Sequence, residues 1–189
     1  MKEFTDFLSQ FGNLNRQQIE LIGSKSITLK LNKNDHFWEM GKASKYVGFV
    51  KSGILRVYYN NDKGDEVTHY LVEENHWLSD WDNQDQSVIP IANLQAITPC
   101  SFVAFFKKDW NLLLQSVDGL NDTIQKIIIN HKSKKLERRS RLICEDTTER
   151  YLSFLEQYPN MVNRIPLSYV ASYLGMKQPS LSRVRKNIR

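Results

Sequence analysis

The chain has 189 residues, 41% hydrophobic and 25% charged, a balance that supports a packed core and excludes a largely disordered chain. Its two cysteines are too few for a disulfide-stapled mini-domain or for an iron–sulphur cluster, which wants about four. The net charge of +5 is unevenly placed: residues 1–110 hold 12 Lys and Arg against 14 Asp and Glu, residues 111–189 hold 14 against 7, so a polyanionic partner is expected of the C-terminal part.

The opening segment MKEFTDFLSQF never reaches a long apolar run, so neither a signal peptide nor a membrane span is expected, and the protein is read as cytoplasmic. Phe4, Phe7, Leu8 and Phe11 keep helical spacing, and a second short helix is predicted over Asn15 to Ile22 with Asn15 as its cap. From Ser26 the period changes. Ile27, Leu29 and Leu31 alternate with polar residues, and further strands are predicted at Tyr46 to Val50, Leu55 to Tyr59, Val67 to Val72, Ile91 to Ala96 and Phe102 to Phe106. Gly41, Gly53, Gly64, Asn75 and Pro99 fall in the turns between them. Many short strands at such spacing predict an antiparallel barrel or jelly-roll-like sandwich. Cys100 and Cys144 are read as reduced, small hydrophobic residues.

The helical period returns at Lys107 and persists. Val117, Leu120, Ile124, Ile127, Ile128 and His131 form an apolar stripe suited to helix pairing, including pairing with a second copy of the chain. The basic run Lys132, Lys134, Lys135, Arg138, Arg139 and Arg141, opposed by Glu137 alone, reads either as a solvated helix end or as phosphate contacts. Thr147 to Gln157 is another amphipathic helix, stopped by Pro159.

The residues 167–188, LSYVASYLGMKQPSLSRVRKNI, carry the most specific signal. Val170, Ala171 and Leu174 mark one buried helix face, Gly175 a left-handed turn, and Leu181, Val184 and Ile188 the buried face of a second helix. A small residue, a turn glycine four positions on and an apolar anchor six further describe a helix-turn-helix, whose second helix lies in the DNA major groove. At about 100° per residue the opposite face presents Pro179, Ser182, Arg183 and Lys186, flanked by Gln178, Arg185 and Arg189. That helix holds no acid, as suits a surface meeting base edges and phosphates. Lys177 and Ser180 complete the expected DNA-binding set.

A β-roll, a long helix and a C-terminal helix-turn-helix, in that order, resemble the cyclic-AMP receptor protein and fumarate-nitrate regulator (Crp/Fnr) superfamily of bacterial transcription factors. Two segments carry the resemblance: YVGFVKSGILRVYY, from Tyr46 to Tyr59, and the stretch Thr147 to Lys186. It implies an α+β chain with a β-roll of double-stranded β-helix type, similar to cyclic-nucleotide-binding domains, over 1–108. A dimerisation helix over 109–141 and a winged-helix-like DNA-binding domain over 142–189 would follow. It also implies a homodimer on a pseudo-palindromic double-stranded operator, with RNA polymerase as a further partner and no membrane. The family's base-reading positions fall on Gln178, Pro179, Ser182 and Arg183. Many relatives carry glutamate where Pro179 stands, which alters the expected base preference there. The sequence ends at Arg189, where some relatives add a β-hairpin wing, so wing contacts are expected to be absent or replaced.

Relatives that bind cyclic nucleotide use Gly-Glu for the ribose and Arg-Ser or Arg-Thr for the phosphate. Here those positions hold Leu78-Ser79 and Pro90-Ile91, so cyclic AMP is not expected to bind, no cofactor is expected, and any small-molecule effector is of another kind. Trp77, Trp81 and Trp38, with Ile91 and Ala92, are candidates to line a pocket for it; the competing reading of the tryptophans is core packing. His36, His69 and His76 raise a rival function, a ligand-binding or metal-dependent roll protein in which the helical end only dimerises. Their spacing lacks a tight His-x-His pair with a nearby glutamate, so no metal site is expected. No catalytic constellation is present in this reading, and the chain is taken as a regulator rather than an enzyme.

Overall fold

A computed structural model of the chain describes residues 1–79 and 90–188. It opens with α1 (Lys2–Leu8) and α2 (Arg16–Ser24). Asn15 caps α2 in a reciprocal box: its side chain accepts the Gln18 N–H while the Gln18 side chain accepts the Asn15 N–H. Eight strands follow: β1 (Ile27–Leu31), β2 (His36–Trp38), β3 (Tyr46–Ser52), β4 (Leu55–Asn60), β5 (Glu66–Val72), β6 (Trp77–Leu78), β7 (Asn93–Ala96) and β8 (Cys100–Phe106). They form two four-stranded antiparallel sheets, β1-β8-β3-β6 and β2-β7-β4-β5. Strands β2 and β6 escape prediction because three and two residues are too short to show alternation. The strand expected from Ile91 begins at Asn93; Ile91 itself is 89% exposed.

The helical part is α3 (Lys107–Ser116), α4 (Leu120–Cys144), α5 (Thr147–Gln157), α6 (Leu167–Tyr173) and α7 (Gln178–Ile188). The single helix expected over 109–141 is therefore two. Val117 is extended and Gly119 takes φ +76, a left-handed conformation that glycine adopts without steric cost, so α3 stops and α4 starts in a new direction. No helix among the described residues is long and apolar enough to cross a membrane.

Three clusters make up the interior. Phe37, Leu55, Leu94 and Phe102 fill the roll between its sheets. Outside it, α1, α3 and the first half of α4 pack an aromatic layer in which Phe4 stacks on Trp77 at 5.5 Å and Trp77 meets Trp110 at 4.6 Å. The third cluster joins α5, α6 and α7 through Phe154, Met161, Val170 and Leu181, and also takes in Ile54, Leu71 and Ile97 of the roll. Cys100 is buried, and burial pushes its thiol up to about 11; Cys144, expected to pack as a small hydrophobe, is exposed at the end of α4.

Two half-buried imidazoles meet beside this aromatic layer. His76, in the turn before β6, and His131 of α4 stack with centroids 3.9 Å apart and ring planes 9° from parallel. Burial, followed by the charges of Lys134 and Arg138, pushes His131 down to about 4, and burial holds His76 well below its ordinary value too. Both rings are thus neutral when folded and titrate near pH 6.5 when unfolded. Their contribution is complete above about pH 6.5 and is lost as pH falls from there toward 4, on the order of 3 kcal/mol for His131 alone. Urea midpoints of His131→Leu should therefore vary less with pH between about 6.5 and 4.5 than those of the parent protein. Parallel profiles would disprove the assignment.

Candidate nucleic-acid interface

Helix α6 follows Pro166 and buries Val170, Ala171 and Leu174, each 2% exposed or less, against α5 and Leu181. The chain then reverses through Gly175 at φ +66. The Met176 N–H bonds Ala171 O at 3.0 Å and the Gly175 N–H bonds Ser172 O at 3.1 Å, so the turn closes the last carbonyls of α6. Arg150 of α5 adds a donor to Leu174 O at 3.3 Å, placing a cation at the negative end of α6. Lys177 O accepts the Ser180 and Leu181 N–H groups and so starts α7. Pro179, in the first turn, removes no intrahelical bond.

Within α7 only Leu181 is fully buried; Val184 is half-buried and Ile188, expected on the inner face, is 40% exposed. Lys177, Gln178, Pro179, Ser182, Arg183 and Lys186 are exposed, and Ser180 is half-buried. None of Lys177, Arg183, Arg185 and Lys186 is ion-paired to a carboxylate among the described residues, so their charge faces solvent uncompensated.

The pair α6–α7 is anchored to the roll by polar contacts that local sequence reading did not find. Strand β5 is the open edge of its sheet, and α6 covers it. The Thr68 N–H donates to Ser172 Oγ at 2.8 Å. The guanidinium of Arg56, 2% exposed, lies between the rings of Tyr58 and Tyr169 at 4.1 and 4.0 Å, pairs with Glu66 and donates to Gln95. Arg164 forks onto Glu74 at 3.0 and 2.5 Å, and Arg138 of α4 donates to the Tyr158 hydroxyl at 2.6 Å.

The other predicted sites fare differently. Trp77 is 3% exposed and packs in the aromatic core; Ile91 points to solvent, Ala92 is half-buried, and Trp81 lies outside the described residues. Trp38 packs on the roll interior. His36 bonds the Tyr58 hydroxyl at 3.0 Å, His69 lies against Arg139 and His76 against His131: three separate places. Among the described residues no three potential ligands converge on a point.

Neither protein-family models nor curated proteins match the sequence. Solved structures do. The c-di-GMP-responsive global regulator CLP of Xanthomonas campestris is 17% identical with a TM-score of 0.72, over 92% of this chain and 91% of that one. FixK2 of Bradyrhizobium japonicum is 12% identical with a TM-score of 0.74, over 86% and 84%. A transcriptional regulator of the Crp/Fnr family from Eubacterium rectale is 17% identical with a TM-score of 0.70, over 92% and 83%. At such identities the likeness establishes the fold: the chain has the architecture of Crp/Fnr-type regulators over most of its length.

The Arg56 anchor carries its own test. Truncating this buried cation leaves Gln95, Glu66 and the faces of both tyrosine rings without their partner, and Arg56→Ala should cost about 2–4 kcal/mol in chemical denaturation. Gly175→Ala, where an added Cβ meets only Arg150 Nη1 at 3.7 Å, should cost only the left-handed penalty of about 1–2 kcal/mol.

Proposed function

We propose that the protein is a transcription regulator of Crp/Fnr type that binds double-stranded DNA as a homodimer. The observation that carries this is the exposed, acid-free face of α7, held at a fixed angle by the Gly175 turn and the buried anchor Leu181. Arg183 sits mid-face with free donors; a guanidinium there can bond a guanine edge in two places, with Ser182 and Gln178 beside it. Lys186, Lys177 and Ser180 are assigned to the phosphate backbone. Pro179 offers only apolar contact, which shifts discrimination to its neighbours. Cyclic AMP is left out because Leu78, at the ribose-binding position, is 3% exposed and packed into the roll interior.

The pairing face of α4 differs from the sequence-based expectation. Val117, Leu120, Ile124 and Ile127 are 0–3% exposed inside the chain's own core; Ile128 packs on the same core and His131 stacks on His76. A helix over a roll needs its inner stripe for that contact, so it is closed to a partner. The opposite side carries Ile129, Leu136 and Ile143, seven residues apart and 62%, 68% and 75% exposed. Ser133 and Ser140 stand between them, giving a narrow seam of large and small residues. Heptad spacing commits this seam to a second copy of the same helix.

In gel-shift titrations at fixed salt, on operators recovered by genomic footprinting, Arg183→Ala should lose about 1–3 kcal/mol and relax preference at one base position. Lys186→Ala should weaken all sequences alike and reduce the salt dependence. Unchanged affinity in Arg183→Ala would remove α7 from the interface. For the dimer, Leu136→Glu should sediment as a folded monomer. Ile124→Ala should instead remain dimeric while losing about 2–5 kcal/mol of stability.

A further inference from the structure

Between β5, the second half of α4 and the α5–α6 pair lies a cavity of about 240 Å³. It is lined by Lys135, Arg138, Arg139 and Arg150, and no acidic residue takes part in its walls. Arg138 is engaged by the Tyr158 hydroxyl, and Arg150 donates to the carbonyls of Glu145 and Leu174. None of the four is ion-paired to a carboxylate among the described residues; Glu73 is in electrostatic reach of Arg138. Arg139 Nη1 lies 3.2 Å from His69 Nδ1, a contact in which the ring accepts.

We infer that this cavity binds a small phosphate-bearing anion, held by Lys135, Arg139 and Arg150, with His69 as a neutral group beside it. Concentrated cations with no counter-charge, two of them planar forks, suit a dianion with three acceptor oxygens. A water occupies about 30 Å³ in the liquid, so the space exceeds an inorganic phosphate and leaves room for the organic part of an ester beside Tyr70 and Tyr173. A recess formed by three elements favours a small molecule over a duplex backbone, which is met by convex, exposed side chains. The site is separate from the α7 face and does not depend on its reading. Because its walls come from the roll, the long helix and α6, an occupant would touch every part that sets the position of α7.

The test uses the full chain without DNA and inorganic pyrophosphate as probe, read by the pH titration of the His69 ring in proton NMR. Burial, with Lys135 and Arg139 beside it, holds this imidazole below its ordinary value, so a bound anion should move its titration to higher pH, saturably. The Lys135→Ala/Arg139→Ala variant should bind about tenfold or more weakly, and Arg139→Lys should recover part of the loss. Absence of any saturable shift up to about 10 mM probe, the weak limit for a specific site, overturns the proposal. So does equal binding by the double variant. If a short duplex moves the His69 titration and pyrophosphate does not, the cations serve the DNA backbone and the small-ligand site is refuted.

Discussion

The inner face of α4 is the constraint on which the rest of the molecule depends. Leu120, Ile124 and Ile127 are fully buried beneath α1 and α3, in contact with the aromatic layer that Phe4, Trp77, Phe105 and Trp110 build on the outside of the roll. Each such aliphatic side chain contributes roughly 2–3 kcal/mol by leaving water, and the aromatic pairs add to that through their tilted and stacked geometry. A helix held this firmly along its first two turns has a fixed direction. Its far half must then run past β5, where Arg138 meets Tyr158 and Arg139 meets His69, and deliver the chain to α5 at the base of the C-terminal unit. The same fixation decides which residues remain for a partner: the stripe opposite Leu120 and Ile124 is the one left in solvent.

Strand β5 supplies the second constraint. It ends a four-stranded sheet, and an open edge with free N–H and C=O groups invites pairing with another chain. Here α6 lies across it, and one N–H of the edge, from Thr68, is taken by a serine of that helix. Protection of the sheet edge and placement of the helix pair are therefore one interaction. The Arg56 guanidinium reinforces it from the outer face of the same sheet, since the rings of Tyr58 and Tyr169 pack on it while Glu66 and Gln95 take its donors. A buried cation is tolerated because all of these partners are present together.

Features set by a few adjacent residues were legible in the sequence. The Asn15 cap, the Gly175 turn and the buried trio Val170, Ala171 and Leu174 depend on local spacing, and the structure realises each. Features set by contacts between distant segments were not. Helix α4 is apolar on two sides, and periodicity cannot say which side meets the roll; the broader stripe through Ile124 and Ile127 went to the core and the narrow seam through Ile129 and Leu136 stayed outside. Trp77 offered a pocket reading beside the commoner one of core packing, and its contacts with Phe4 and Trp110 place it in the core. The cationic cavity was half visible, as a basic run in α4. Its other half, Thr68, His69 and Arg150, comes from two segments 82 positions apart, counting from Thr68 to Arg150.

The energetics of the junction bear on how the α7 surface is held. The edge contact between Thr68 and Ser172 is one hydrogen bond, worth about 1 kcal/mol net, and the Arg164–Glu74 fork is partly exposed and screened, worth little more. Against them stands a cluster of like charges, Lys134, Lys135, Arg138, Arg139 and Arg141, on two turns of α4 with Glu137 alone to offset it. Neighbouring cations on one helix face repel by a few tenths of a kcal/mol per pair. The polar contacts at the edge of α6 and the repulsions beside them are thus of similar size, while the Arg56 cluster and the apolar contacts of Ile54, Leu71 and Ile97 with the C-terminal core are far stronger. The position of α6 against the roll therefore rests on that shared core and the buried guanidinium, and the cations of α4 sit at its margin as a small opposing contribution.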